Sequence, residues 1–313
     1  MKISIALCTY NGEKYLAAQL DSILNQTVKA DEIVICDDGS KDLTIQILQH
    51  YDRMHSGLFK IFLNEKNLGY SRNFEKAISN CTGNIIIISD QDDIWNENKI
   101  EKTKAFFSEH PNADGVFHDL EIINDDQKIL EPSYLNWKNI SYDFVKENIR
   151  SSHLFIRQQT MGSFVLGCAL ALRQSALKKY ELHNFETAHD YLISQKLAAK
   201  NKLGFIPETL SKYRQHEKQV CGLREAFKNP EKKQGNRELS EFQKKVGPSL
   251  LAIKKYTHLY PTEDVTKTDV YRIFTENRNS YLMNLPFFER KKYILQCICY
   301  QYLDLNFTDL FKY

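Results

Sequence analysis

Over the first 125 positions, short unbroken apolar runs alternate with stretches whose apolar residues recur at helical spacing. The runs "ISIALC" (3–8), "EIVIC" (32–36), "LFKIFL" (58–63), "NIIIIS" (84–89) and "GVFHDLEII" (115–123) predict strands. Between them, "EKYLAAQLDSILN" (13–25), "LTIQILQHY" (43–51), "SRNFEKAI" (71–78) and "NENKIEKTKAFFSEH" (96–110) predict helices. In the first helix Leu16, Leu20, Ile23 and Leu24 share one face. A strand that is apolar at every position must be covered on both faces. The pattern therefore predicts an α/β fold with a mostly parallel central sheet and helices on both sides.

Beyond residue 125 the signal weakens. "DFVKENIRSSHLF" (143–155) reads as a helix and "SFVLGCALALRQ" (163–174) as one long strand. "TAHDYLISQKLAAK" (187–200) predicts a helix with Thr187 as its N-cap. "KLGFIPETLSKYRQH" (202–216) suggests two short strands around Pro207. From about residue 223 the chain becomes highly charged, with Gly/Pro breaks, and then reads as about three helices. These shifts predict one domain over 1–220, with halves at about 1–125 and 126–220, and a helical region over 221–313.

Composition adds exclusions. Charged residues make up 26% and the net charge is +2, which gives no electrostatic reason to expect nucleic acid as a partner. Seven cysteines without a C-x-x-C pair favour a reducing compartment. The start "MKISIALCTYNG" has a short apolar run and a polar turn where a leader would have its cleavage site. With no stretch of 18 apolar residues, a cytoplasmic protein is expected, with attachment to a membrane surface left open.

In open α/β sheets ligands bind beyond the carboxyl ends of the strands. There this sequence places Thr9, Tyr10, Asn11 and Gly12, then Asp37, Asp38, Gly39 and Ser40, then "NEKNLGYSRN" (64–73), then "SDQDD" (89–93). Three carboxylates in "SDQDD" repel one another unless a cation or bulk water relieves them. Mg²⁺ takes oxygen ligands and keeps substrate phosphates in its shell, which suits a site for a nucleotide diphosphate. Asp93 would equally serve as a first-turn acid complementing a helix dipole. Asp38 is placed to accept an N–H from a nucleobase, and Asp42 to cap the following helix. The Tyr10 ring suits either a base or plain packing.

The ordered stretches "ISIALCTYNGEKYLAAQLDSILNQT", "EIVICDDGSKDLT", "NLGYSRNFEKAI" and "IIISDQDDIW" resemble the nucleotide-binding half of family 2 glycosyltransferases of the GT-A fold. The resemblance covers about the first 110 residues. It implies inverting transfer of a sugar from a nucleotide diphosphate sugar, with a divalent metal, Mg²⁺ or Mn²⁺. It places Thr9, Tyr10, Glu13, Asp38 and Arg72 in the nucleotide pocket, Asp90 near the ribose and Asp92 on the metal. "GCALALRQ" (167–174) is similar to the acceptor-side strand, and "AHDYLISQKL" to the helix that carries the base, which falls on Asp190. Such a base takes a proton from the acceptor hydroxyl; the same residue would also serve as an ordinary first-turn acid. His216, in "YRQH", is a candidate third metal ligand or phosphate contact, with Arg214 beside it.

The versions "SDQDDIW" and "HDYL…YRQH" most resemble bacterial enzymes of surface-polysaccharide synthesis, rhamnosyltransferases among them. That makes dTDP-rhamnose the first donor to consider and a UDP-hexose the alternative, with a saccharide or lipid-linked saccharide as acceptor. The Lys-, Tyr- and Phe-rich tail, as in "NLPFFERKKYILQCICYQYL" (284–303), would face a membrane, pack on the catalytic domain or form a homodimer. Two other classes are weighed. A sugar-phosphate nucleotidyltransferase would call for a Gly-rich loop where "CTYNGEK" has one Gly. A non-catalytic nucleotide-sugar-binding module would bind without turnover.

Overall fold

The computed structural model describes residues 1–149, 152–185, 187–217, 219, 245–291 and 294. The chain divides into two compact units, residues 1–150 with 163–233, and residues 151–162 with 234–313.

The first unit is built on a nine-stranded sheet. In chain order its elements begin with β1 (Ile3–Thr9), α1 (Leu16–Leu24), β2 (Glu32–Asp37), α2 (Thr44–Met54), β3 (Phe59–Leu63), α3 (Tyr70–Ser79) and β4 (Ile85–Ser89). There follow β5 (Ile94–Trp95), α4 (Lys99–Glu109), β6 (Gly115–Ile123), β7 (Ile129–Glu131), α5 (Tyr134–Trp137) and α6 (Tyr142–Asn148). After the segment that joins the other unit come a 3₁₀ turn (Gly167–Ala169), β8 (Leu170–Arg173), α8 (Gln174–Lys179), α9 (His189–Ala199) and β9 (Leu203–Arg214). The strand order is β3-β2-β1-β4-β8-β6-β9-β5, with β7 added on β6.

The first four strands pair in parallel, and β6 pairs in parallel with β9. β8 runs antiparallel between β4 and β6. The reason lies in the burial pattern. Every residue of β1, β2 and β4 is buried. Side chains alternate across a strand. One face therefore presents Ile3, Ile5, Leu7, Ile33, Ile35, Ile85 and Ile87, which join Leu16, Leu20 and Ile23 of α1 in one core. The opposite face carries α3, whose buried Phe74, Ala77 and Ile78 lie on the side that packs against β1 and β2.

Four local expectations are corrected. The single helix over 143–155 is two helices: α6 ends at Asn148, and Ser152 takes a left-handed φ of 37° before the next helix begins. Only Leu170–Arg173 of the long strand over 163–174 is strand, because the backbone first closes a 3₁₀ turn at Gly167–Ala169. The N-cap of α9 is Ala188, while the Thr187 carbonyl accepts from Ser71 Oγ at 2.8 Å. Finally, the two strands around Pro207 are one strand, β9. Proline lacks a ladder donor, and the register against β6 shifts beside it, from His118 opposite Ile206 to Asp119 opposite Thr209.

The second unit comprises α7 (His153–Met161), α10 (Gly247–Leu259), a 3₁₀ turn (Val265–Lys267) and α11 (Asp269–Met283). Helix α10 packs on both α7 and α11. Val246, Phe274, Leu282 and Ile294 form its core. No helix among the described residues is long and apolar enough to cross a membrane.

Candidate active site

The parallel register places Thr9 beside Asp37 and Leu7 beside Ser89, so the loops after β1, β2 and β4 meet at one sheet edge. The buried Thr9 hydroxyl donates to Asp37 Oδ2 at 2.8 Å. Asp37 in turn accepts from the N–H groups of Gly39 and Ser40, which builds the turn. Asp38 is also buried and holds the next loop: Oδ1 accepts from Asn64 Nδ2 and Leu68 N, and Oδ2 from Gly69 N, at 2.7–2.9 Å. Tyr10 keeps its ring exposed while its backbone N–H and C=O are both taken by the Gln91 amide, at 2.8 and 3.0 Å. That amide occupies the space a side chain at Gly12 would need, since a Cβ there would lie 2.2 Å from Gln91 Oε1. Glu13 Oε2 accepts from Leu43 N at 2.8 Å, ahead of α2. The Arg72 side chain is exposed in the first turn of α3 and makes no hydrogen bond among the described residues.

The acidic cluster lies between these loops and β9. Asp92 Oδ2 sits 2.7 Å from His216 Nε2, across 124 positions of sequence. His216 packs against the Tyr15 ring at a centroid distance of 4.6 Å. Arg214, buried beneath, donates to the carbonyls of Asp92, Asn124 and Asp125 and so fixes the loop. Asp93 is fully buried; Oδ1 accepts from Arg214 N at 3.1 Å, but Oδ2 has no partner. Burial, reinforced by Asp92, pushes the Asp93 carboxyl up to about 7. Burial also raises Asp90 well above the carboxylate range, followed by the fields of Asp93, Asp92 and Asp190. Ligand atoms of Asp90, Asp93 and Cys168 all lie within 4.8 Å of one another.

These groups fit a divalent ion. An orphaned buried carboxylate oxygen, neighbours that resist ionising together, and an imidazole nitrogen beside Asp92 supply hard oxygen and nitrogen donors. Among the described residues, Asp90, Asp93 and Cys168 bring three potential ligand atoms together, while Asp92 and His216 are bonded to each other at 2.7 Å.

Asp190 stands in the first turn of α9. Its Oδ2 accepts from Gly167 N at 3.1 Å and its Oδ1 from Tyr191 N at 2.7 Å, so the carboxylate is fixed against the 3₁₀ turn before β8. The adjacent His189 is buried, stacks on Phe74 at 4.0 Å, and neither ring nitrogen has a partner. Burial lowers its pKa, so this ring is neutral at pH 7.

Residues 4–180 match the family model described as "Glycosyl transferase family 2". The chain belongs to that family. An uncharacterized glycosyltransferase of Haemophilus influenzae is 26% identical over 288 residues, covering 87% of this chain and 85% of its own. One from Nostoc is 26% identical over 219 residues, covering 69% of this chain and 65% of its own. Among solved structures, TarS of S. aureus (residues 1–349, in complex with UDP-GlcNAc) superposes with a TM-score of 0.60 at 19% identity, over 94% of this chain and 79% of that one. The mannosyltransferase PcManGT of Pyrobaculum calidifontis, solved with GDP-Man and Mn²⁺, gives 0.53 at 13% identity, over 91% and 76%. The fold is of the GT-A type.

Several groups around the site of this family 2 glycosyltransferase had little or no signal in the sequence. Lys99, the first residue of α4, is buried. Its ammonium donates to Cys168 O at 2.7 Å and Ser211 Oγ at 2.9 Å and lies 3.9 Å from the Trp95 ring centre. Burial pulls its pKa down to about 7. Lys99 thus ties α4 to the 3₁₀ turn that holds Asp190 and to the strand that leads to His216. Asp119 accepts from Ser133 Oγ, Leu135 N and Tyr142 Oη, which anchors the segment after β7. The amide of Gln91 is a third such group. Its place between two like-charged neighbours in "DQDD" was the available hint.

Proposed function

We propose that this protein is an inverting, metal-dependent hexosyltransferase of bacterial surface-polysaccharide synthesis, acting at the cytoplasmic face of the membrane. The donor is a nucleotide diphosphate sugar and the acceptor a saccharide or lipid-linked saccharide. The observation that carries this reading is the meeting of Asp92, His216 and Asp190 around one acidic cluster at the carboxyl ends of parallel strands. dTDP-rhamnose is the first donor to test, on the strength of the "SDQDDIW" and "HDYL" resemblance. A UDP-hexose is the second, because TarS is similar in fold and was solved with UDP-GlcNAc. We assign catalysis to residues 1–220 and treat 221–313 as a helical extension.

In this reading Thr9, Tyr10, Glu13, Asp38 and Arg72 form the nucleotide pocket, with the exposed Tyr10 ring as the base platform and Asp90 facing the ribose. Asp92 and His216 would hold Mg²⁺ or Mn²⁺, and an ion held there would offset charge on the departing diphosphate; the mannosyltransferase of similar fold was solved with Mn²⁺. Asp190 takes the proton from the acceptor hydroxyl as it attacks the anomeric carbon. The Gly167 N–H, bonded to Oδ2, aims that carboxylate. The anomeric centre develops positive charge as the leaving group departs, as in glycoside hydrolysis.

The test combines a thermal-shift screen of dTDP-, UDP- and GDP-sugars, with and without Mn²⁺, and transfer assays on Asp190→Asn and Asp92→Ala. A specific donor raises the melting temperature by mass action. Asp190→Asn should keep donor binding and lose transfer by about 10²-fold or more. Wild-type transfer by both variants overturns the assignment, and a product that retains the donor's anomeric configuration overturns inversion.

A further inference from the structure

The short segment after α11 carries the most exposed aromatic residues of the described chain. Phe288 is 84% exposed, and Phe287 and Met283 are 59% exposed. This is not a frayed end. Leu282 on one side and Ile294 on the other are both buried in the core of the helical unit, and Leu285 packs against it. The Arg290 guanidinium donates to the carbonyls of Leu285 at 2.9 Å and Met283 at 3.2 Å, which closes the turn. The two phenyl rings meet edge to face at 5.4 Å, and the Lys291 ammonium lies 5.1 Å from the Phe287 ring centre. Core packing therefore holds a knuckle that pushes two phenylalanines outward beside a basic run. By sequence that run is Arg290, Lys291 and Lys292, against the single acid Glu289.

We propose that this knuckle inserts into the surface of an anionic lipid bilayer. Exposed apolar side chains flanked by lysine and arginine combine shallow insertion with attraction to acidic headgroups. Two competing occupants fit less well. A two-fold contact with a second copy sets the same patch against itself, which would bring two copies of Arg290 and Lys291 together. A stable protein interface buries roughly 1,600 Å², far more than the roughly 150–250 Å² that each aromatic side chain can bury. A membrane needs only the wedge and the charge. The surface gives a physical form to the membrane-linked acceptor proposed above, but it is measured without sugar transfer, so either reading can fail alone.

The experiment is co-sedimentation of the full-length protein with vesicles of phosphatidylcholine, or of phosphatidylcholine with phosphatidylglycerol. The protein should bind the anionic vesicles, leave the neutral ones, and come off as salt is raised. Phe287→Ser with Phe288→Ser should lower partitioning about ten-fold or more, and Lys291→Glu should weaken it further. The two phenylalanines are exposed and Lys291 is half-buried, so the melting temperature and nucleotide binding of the double phenylalanine variant should stay at wild-type values. Failure of the wild-type protein to bind anionic vesicles, or equal binding by the double variant, overturns the proposal. A dimer in solution that the double variant converts to monomer also overturns it, because the patch is then a contact between copies.

Discussion

Replacing Lys99 with methionine removes a buried ammonium and leaves an unbranched apolar stem in its place. In the folded protein burial lowers this lysine from the ordinary 10.5 to about 7. Between those values the unfolded chain holds a proton that the folded chain has released, so stability rises with pH across the window and is lost as pH falls through 7. The whole interval corresponds to about 5 kcal/mol, at about 1.4 kcal/mol for each tenfold step. From pH 7 to pH 9 alone the wild-type protein should gain about 2 kcal/mol over Lys99→Met. A separate cost, independent of pH, comes from the unpaired Cys168 carbonyl and Ser211 hydroxyl, about 1–3 kcal/mol each. Urea denaturation of both proteins at pH 7, 8 and 9 separates the two contributions. A stability difference that stays constant across the three pH values refutes the reasoning, because it would mean that Lys99 does not change its charge in the folded state.

Asp93→Asn tests the opposite limb. The carboxyl is raised from 3.8 to about 7, so its contribution is fully present below pH 3.8 and is lost as pH rises through 7; the asparagine variant should lose that acid-side slope in urea denaturation carried out between about pH 4 and pH 7. Gly167→Ala would set a Cβ 2.6 Å from His189 Nε2, so it should cost about 1–3 kcal/mol in melting experiments. It should also reduce transfer more than donor binding, since the Gly167 N–H holds Asp190. Asp38→Ala removes the acceptor for Leu68 N and Gly69 N, and a loss of about 3 kcal/mol with faster proteolytic nicking at 64–69 is expected. Tyr10→Ala should leave stability within about 0.5 kcal/mol and weaken nucleotide binding by about 1 kcal/mol in titration calorimetry.

Legibility followed the range of the interactions. The strands β1 to β4 and the helices between them could be read because each carries its own periodicity: "IIII" at 85–88 has no polar face to show solvent, and all four side chains are buried. Parallel strands then put every following loop at one edge, so Thr9, Tyr10, Asp38 and Asp90 could be grouped before any coordinates. Errors began where a local rule met a long-range one. Pro207 looked like a strand break, but pairing with β6 absorbs it as a shift in register. Thr187 looked like a cap, but its carbonyl is used by Ser71 instead.

The sequence alone determined which residues are apolar in strand or helix period, and therefore the α/β class, the order of elements and the polar loops at the strand ends. These follow from the spacing of neighbours along one chain. Tertiary structure decided which distant groups meet: His216 with Asp92 across 124 positions, Gly167 with Asp190, and Lys99 beneath the turn that joins them. Those meetings depend on the registers of β8 and β9 against the rest of the sheet, which many weak contacts set together. No short stretch of sequence contains that sum.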